Sequence, residues 1–238
     1  MSKLSIVIPA YNEERRIGAA LRIVRQYAQR TGRAVELIVV DDGSRDATVR
    51  LVREFEAGPL VIRLLVNERN RGKGYSVKRG MLEATGDRRL MSDTDFSTPI
   101  DELAKLEPWI AKGFDVVIAS RSLPDSQVDP PQPFHRWLMG QVMILVRGSM
   151  MLRGLRDTQC GFKLFTAAAA RRVFERQTID GFAFDVEVLA IAEKLGLKIK
   201  EIGVIWRNDP DSKVRPIKDS LRVLKALVAI RRRLKHMK

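Results

Sequence analysis

Cysteine is almost missing from this chain of 238 residues: Cys160 is the single one, so no internal disulfide can form and a reducing compartment is implied. Histidine is nearly as rare, and His135 and His236 leave no His/Cys set from which to build a zinc site. Aromatic residues make up only 6%, and none of the stacking or groove-reading motifs of RNA-binding proteins is present, so no nucleic-acid partner is expected. No stretch reaches the roughly 20 apolar residues that a membrane-spanning helix needs. The opening Leu4-Ser5-Ile6-Val7-Ile8-Pro9 is too short for a secretory leader and reads as a first strand. A P-loop is absent, and Gly72-Lys73-Gly74 lacks the glycine order of a dinucleotide-binding turn. Internal repeats and low-complexity segments are absent too.

Positive charge is what the chain has in excess. Forty-three Lys and Arg against 29 Asp and Glu give a net charge of +14. Such a surface suits anionic partners: nucleotide phosphates, nucleic acid or an anionic membrane. With 45% hydrophobic residues the length is enough for a real core, and disorder is excluded.

The first half alternates strand and helix patterns. Strands are predicted at Leu4–Ile8, Val35–Val40, Val61–Val66, Arg89–Ser92 and Asp115–Ala119. Helices are predicted at Glu13–Gln29, Ala47–Phe55, Tyr75–Ala84 and Asp101–Lys112. Continuous apolar strands separated by helices indicate an α/β fold with a mostly parallel sheet covered on both faces. Ligands bind such sheets at the carboxyl ends of the strands. The polar clusters Pro9–Glu13, Asp41–Ser44 and Asp93–Ser97 each follow such an end, so they converge on one crevice.

After Arg121 the pattern breaks. Ser122–Phe134 holds four of the ten prolines and reads as an irregular loop. Trp137–Leu152 reads as a core helix or as one lying in a membrane interface. The stretch Arg156–Phe165 runs from polar to apolar and enters a further strand; a helix is predicted over Phe184–Leu195 and a last strand over Lys198–Trp206. In the tail, Ile217, Leu221, Leu224, Leu227, Val228, Ile230 and Leu234 form a helical apolar stripe. Between Lys213 and Lys238 stand ten Lys and Arg and one acidic residue, Asp219. Either the stripe packs as core and the charges face water, or the helix lies on an anionic membrane surface.

Chemistry concentrates in Met91–Pro99. Asp93 and Asp95 project to one side where a strand opens into a loop, and adjacent carboxylates repel unless a cation sits between them. A divalent ion holding a diphosphate meets that need, because Mg²⁺ takes one or two carboxylates plus phosphate oxygens. Alone, the pair reads equally as solvated loop residues or a helix cap. Lys73, between two glycines, has the reach for a phosphate or a base carbonyl, or is a solvated turn lysine.

Taken together, Ile8-Pro9-Ala10-Tyr11-Asn12-Glu13, Val39-Val40-Asp41-Asp42-Gly43-Ser44 and Asp93-Thr94-Asp95 resemble, in order and spacing, the family 2 glycosyltransferases of the GT-A fold. Asp157-Thr158-Gln159-Cys160-Gly161-Phe162-Lys163, Phe184-Asp185-Val186-Glu187 and Ser212-Lys213-Val214 are similar to the dolichyl-phosphate glucosyltransferases and other polyprenyl-phosphate glycosyltransferases. The resemblance implies a single GT-A, Rossmann-like domain: residues 1–120 for the nucleotide sugar, 121–215 for the acceptor and 216–238 as a basic amphipathic C-terminal helix. It implies nucleotide-sugar contacts from Pro9, Tyr11, Asn12, Glu13, Asp41, Asp42, Gly72, Lys73 and Asp93, with Asp42 accepting the uracil N–H. Mg²⁺ or Mn²⁺ would sit on Asp93 and Asp95. Asp157, with Asp185 or Glu187 behind it, is the candidate base or orienting group. Arg121, Lys163, Arg207, Lys213 and Arg215 are candidates for the acceptor or donor phosphates.

The implied activity is an inverting transfer from a UDP-sugar, with glucose indicated, to a polyprenyl or dolichyl phosphate. A peripheral place on the cytoplasmic face of a membrane follows from that acceptor. Many bacterial relatives carry C-terminal membrane-spanning helices, and this sequence has no stretch of that kind. A family 2 enzyme with a soluble or polysaccharide acceptor is the alternative; a basic nucleotide- or RNA-binding module is the third reading.

Overall fold

The strand Val35–Asp41 is buried at every residue, which a strand achieves only when its sheet is covered on both faces. The computed structural model describes residues 2–56, 58, 60–129, 152, 154–207 and 228–234. Its strands are β1 (Leu4–Ala10), β2 (Val35–Asp41), β3 (Val61–Val66), β4 (Arg88–Ser92), β5 (Val116–Ser120), β6 (Gln127–Asp129), β7 (Phe162–Thr166), β8 (Ile199–Gly203) and β9 (Ile205–Arg207). The helices are α1 (Ile17–Thr31), α2 (Thr48–Arg53), α3 (Lys73–Glu83), α4 (Leu103–Ala111), α5 (Ala167–Arg176) and α6 (Phe184–Lys194). Seven strands form one sheet in the order β3-β2-β1-β4-β7-β5-β8, and β6 pairs with β9 apart from it.

Side-chain alternation divides the core into two layers. Ile6, Ile8, Leu37 and Val39 face α1 and α4, meeting Leu21, Val24, Leu103 and Leu106. Val7, Ile38 and Val40 face the other way, onto Val77 and Met81 of α3 and the apolar faces of α5 and α6.

The sheet is parallel except at β7, which runs antiparallel to both β4 and β5. This reversal decides where the site lies. Ser92, the last residue of β4, pairs with Phe162, the first of β7. The segment before β7, Asp157–Gly161, therefore meets the same edge as the carboxyl ends of β1, β2, β4 and β5.

Three sequence expectations change. Helix α1 starts at Ile17 rather than Glu13, because the amides of residues 12–14 are tied to Ser44, Thr48 and Asp46 by hydrogen bonds. The expected last strand Lys198–Trp206 breaks at Val204 into β8 and β9, the latter recruited by β6. Helix α5 has no counterpart among the expected elements; Thr166, whose hydroxyl accepts from the Ala169 amide ahead of four alanines, was its available signal.

The expected Trp137–Leu152 helix lies outside the described residues apart from Leu152, and the tail stripe lies outside them apart from 228–234. Those seven residues are helical. Ile230 is buried in the α3/α5/α6 layer and Leu234 packs beside it, so these two stripe residues pack with the core, whereas Val228 is exposed. Arg231 and Arg232 are exposed, whereas Arg233 pairs with Glu187 of α6 and donates to the Thr178 hydroxyl and the Arg176 carbonyl.

Glu36 of β2 locks the opposite edge of the sheet. It accepts hydrogen bonds from the Ser5 hydroxyl at 2.5 Å, from the Thr85 amide and hydroxyl at 3.0 Å, and from Arg63 at 3.1 Å. Burial alone would raise its pKa; these bonds outweigh burial and hold it down to about 2, from an ordinary 4.5. A depressed carboxylate contributes stability that is whole above the unfolded value and is lost as pH falls toward the folded one. Glu36→Gln should cost on the order of 1–3 kcal/mol at pH 7 by denaturant titration, because four donors lose an ionised partner. Between about pH 4.5 and 2 the variant should lose less stability than the wild type.

Candidate active site

Three connections at the carboxyl edge are laced together. The Asn12 amide donates to the Ser44 hydroxyl at 2.9 Å, and the Asn12 side chain accepts from the Arg45 amide at 2.9 Å. Asn12 itself takes a left-handed φ of 52°, a conformation asparagine tolerates better than most residues. The Glu13 amide donates to Thr48 at 2.8 Å, while its carboxylate holds Arg16 through two contacts, 2.6 and 2.8 Å. The Thr94 hydroxyl donates to the Pro9 carbonyl at 2.9 Å, joining the β4 connection to the β1 connection. Tyr11 is 38% exposed at the mouth of this arrangement.

The two aspartates after β2 do different work. Asp41 turns its own chain, accepting from the Gly43 and Ser44 amides at 3.1 and 3.0 Å. Its other oxygen is buried and has no hydrogen-bond partner among the described residues. Asp42 braces the connection between β3 and α3: it accepts from the Arg71 amide at 2.9 Å, the Gly72 amide at 2.7 Å and the Asn67 side chain at 2.8 Å. A carboxylate has about four acceptor sites, so the three bonds leave room for one more.

That brace places Lys73. Gly72 has φ +111°, and a Cβ there would stand 2.4 Å from the Asp180 carbonyl; one on Gly74 would stand 2.4 Å from the Ile179 carbonyl. Only glycine lets the loop lie this close to the segment before α6. Lys73 Nζ then reaches Asp93 Oδ1 at 2.6 Å. Burial opposes the charge on Lys73, but Asp93 and Asp185 outweigh it and raise the pKa above the ordinary lysine value. Asp95, held by the Ser97 amide at 2.9 Å, has its pKa raised, first by burial and then by the charge of Asp93. Asp93 fits because residue 161 is glycine, where a Cβ would collide with the carboxylate at 2.0 Å.

The second half contributes two ion pairs. Arg121, immediately after β5, grips Asp157 through Nε at 2.6 Å and Nη2 at 2.9 Å, and its plane lies over Trp206. Asp157 also accepts from the amides of Arg121, Gln159 and Cys160. Burial would raise its pKa, yet Arg121 and these amides hold it well below the ordinary carboxylate range. Lys163 has no exposed surface; its ammonium donates to Asp185 at 2.5 Å and to the Cys160 carbonyl at 2.6 Å. Glu187 is likewise buried, accepting from the Thr178 and Ile179 amides, the Thr178 hydroxyl and Arg233.

Several sequence expectations are corrected by this geometry. Of the two roles expected for Asp157, base or orienting group, the geometry favours the second, because a guanidinium and three amides already stabilise its ionised form. Asp185 and Glu187 stand in the core as partners of Lys163 and Arg233 rather than behind Asp157. Lys163 contacts no phosphate from its buried place on β7. Arg207 remains a candidate: its amide donates to the Ser97 carbonyl at 2.7 Å, and its side chain is exposed beside the Asp95 loop. Lys213 and Arg215 lie outside the described residues. Arg16 is the residue the sequence did not single out. Its charge reaches Asp95, and an arginine three residues after Glu13 at the start of a helix was the available signal.

Among the described residues no group of three or more His, Cys, Asp or Glu side chains could hold a metal by itself. Two hard carboxylates whose charges oppose each other are what a divalent ion sharing its shell with a diphosphate uses, and Asp93 and Asp95 fit that donor set.

A mostly parallel sheet with an Asp-x-Asp turn at its carboxyl edge, flanked by Lys73 and Arg121, defines a GT-A glycosyltransferase. The sequence matches the Glycosyl transferase family 2 profile over residues 5–180. It is 37% identical to a dolichyl-phosphate beta-glucosyltransferase of Dictyostelium discoideum over 96% of this chain and 73% of that protein. With the dolichyl-phosphate beta-glucosyltransferase of Mus musculus it shares 35% identity over 97% of this chain and 75% of that one. Glucosyl-3-phosphoglycerate synthase from Mycobacterium tuberculosis, solved with Mn²⁺, UDP and glucosyl-3-phosphoglycerate, has the same fold, with a TM-score of 0.67 at 18% identity over 100% of this chain and 81% of that one. The chain belongs to glycosyl transferase family 2.

If Asp157 serves to hold Arg121, Asp157→Asn should cost about 3 kcal/mol of stability, the low end for breaking a buried pair, since it leaves a mostly buried guanidinium without its counter-charge. Denaturant titration reads this. A variant of full stability that had lost only turnover would restore the base assignment.

Proposed function

We propose that the chain transfers glucose from UDP-glucose to a polyprenyl phosphate of the dolichyl type, with inversion at the anomeric carbon. The likeness to dolichyl-phosphate glucosyltransferases supports the sugar and the lipid acceptor. One observation about the site carries the reading: the buried carboxylates of its second half are already committed. Asp157 holds Arg121, Asp185 holds Lys163 and Glu187 holds Arg233. A sugar hydroxyl needs a base to become a nucleophile. A phosphate monoester is ionised at neutral pH and attacks without one.

In this reading residues 1–120 hold the donor and 121–215 the acceptor. Pro9, Tyr11, Asn12, Glu13, Asp41 and Asp42 surround the uridine, and the remaining acceptor site of Asp42 takes the uracil N–H. Gly72 and Lys73 approach the diphosphate. Asp93 and Asp95 hold Mg²⁺ or Mn²⁺, which would neutralise charge on the departing diphosphate. Arg121 and Arg207, with Lys213 and Arg215, orient the phosphates, arginine being suited to two-point contact. An acceptor phosphate oxygen forms the new bond to the anomeric carbon as its bond to the UDP β-phosphate oxygen breaks, and UDP leaves with that electron pair. Charge is conserved and no proton moves.

No described helix is long and apolar enough to cross a membrane, and the reading places the protein peripherally on the cytoplasmic face. Among the described residues, Arg231 and Arg232 are the exposed tail charges available to anionic lipid.

UDP release from UDP-glucose should rise on adding a short-chain polyprenyl phosphate and not on adding a free sugar. The reverse order would favour the soluble-acceptor alternative. Asp95→Asn, or EDTA on the wild type, should abolish turnover with the fold intact by circular dichroism; full activity of either would remove the metal assignment.

Each basic residue at an anionic surface contributes about 1 kcal/mol, so Arg231→Gln with Arg232→Gln should weaken co-sedimentation with anionic vesicles roughly thirtyfold at low salt. Neutral vesicles should bind neither protein. Equal binding by wild type and double variant would refute surface attachment through these two arginines.

A further inference from the structure

Lys73 occupies the very carboxylate that the proposed metal needs. Its ammonium lies 2.6 Å from Asp93 Oδ1, with only a fifth of its side chain exposed. The contact is built rather than incidental. Asp42 fixes the amides of Arg71 and Gly72 on one side of the lysine. On the other side, the Tyr75 amide donates to the Asp180 carbonyl at 3.1 Å, and the Gln177 side chain holds the Gly74 carbonyl at 2.9 Å. A lysine so placed between two glycines in contact with a neighbouring backbone has little freedom except along its own side chain.

The charges around it do not suit a lone dication. Asp93 and Asp95 supply two negative charges, and Lys73 cancels one of them. Arg16 adds a smaller positive field at Asp95, offset in part by its own pairing with Glu13. Asp185 is buried and paired with Lys163, and its remaining field falls on Lys73. A divalent ion entering alone meets a half-neutralised pair and a cation on one ligand. A nucleoside diphosphate changes this balance in two ways. It brings its own charge and oxygens to the ion, and it offers the ammonium another anion to hold.

We propose that Lys73 is the resident counter-ion of Asp93 in the nucleotide-free enzyme and makes metal binding conditional on the diphosphate. When the metal–diphosphate arrives, the ammonium passes from Asp93 to a phosphate oxygen, and Asp93 is released to the ion. The inference rests on the donor-site reading above and adds an order of binding to it.

Mn²⁺ binding followed by the loss of its free-ion electron paramagnetic resonance signal tests this without turnover. Wild-type protein should bind Mn²⁺ weakly alone and at least about tenfold more tightly with UDP present, and UDP should gain by the same factor from Mn²⁺ because coupling is reciprocal. In Lys73→Met, which keeps the length and loses the charge, Mn²⁺ alone should bind about tenfold more tightly than in the wild type, and the coupling to UDP should shrink correspondingly. Lys73→Arg should keep the wild-type pattern. Mn²⁺ affinity in Lys73→Met equal to or below that of the wild type overturns the inference. So does a wild type whose Mn²⁺ affinity ignores UDP, a measurement that holds even if the methionine variant does not fold. A wild type that binds UDP and Mn²⁺ in neither combination refutes the donor-site reading itself and this inference with it.

Discussion

A lysine with no exposed surface needs a carboxylate at contact distance, since the desolvation of a bare ammonium would exceed what packing returns. Lys163 has Asp185 at 2.5 Å, and much of the second half is arranged to keep that pair. The pair joins β7 to α6. Because β7 is the reversed strand, it also fixes where the Asp157–Gly161 segment meets β4. Gly161 then sets the space into which Asp93 fits, and Asp185 adds to the field that keeps Lys73 charged. From the core outward, Lys163, Asp185, Lys73 and Asp93 alternate in sign. Removing Lys163 or Asp185 leaves the other buried without its contact counter-charge.

Carboxylates near a site invite assignment as catalysts, yet their partners here decide otherwise. Asp157 is the instructive case. It lies in a segment that sequence resemblance marks as functional, and it sits at the correct edge of the sheet. Two guanidinium nitrogens and three amides consume its basicity. Its contribution is to aim Arg121, whose face is in turn covered by Trp206. A positively charged group held rigidly at the crevice suits the binding of an anionic acceptor better than the deprotonation of a neutral one.

The first half was legible because its signals are local and repeated. Val35–Val40 is a continuous apolar run, and each polar cluster sits directly after such a run. The expected strands match to within two residues at either end, and Val61–Val66 matches at both. The direction of β7 was not legible, since an apolar strand reads alike whichever way it runs. Nor were the buried lysine–aspartate and arginine–aspartate pairs. They join residues 22 and 36 positions apart, and nothing in a single sequence tells Lys163, in the core, from Lys73, at the crevice. Glycine was the most underused clue. Gly72, Gly74 and Gly161 each mark a place where another atom occupies the room of a Cβ, and each borders the site.

The tail's contacts set a practical limit on how its charge can be studied. Arg233 belongs to the Glu187–Thr178 cluster, and Ile230 to the apolar layer beneath it. Cutting the chain ahead of Val228 would delete these along with the exposed Arg231 and Arg232. It would uncover a carboxylate beside the segment on which Gly72 and Gly74 rest. A shortened protein that no longer met a membrane would also have a loosened donor loop, so truncation confounds two losses. Point substitution at the two outward arginines separates them, leaving both the anchor and the packing in place.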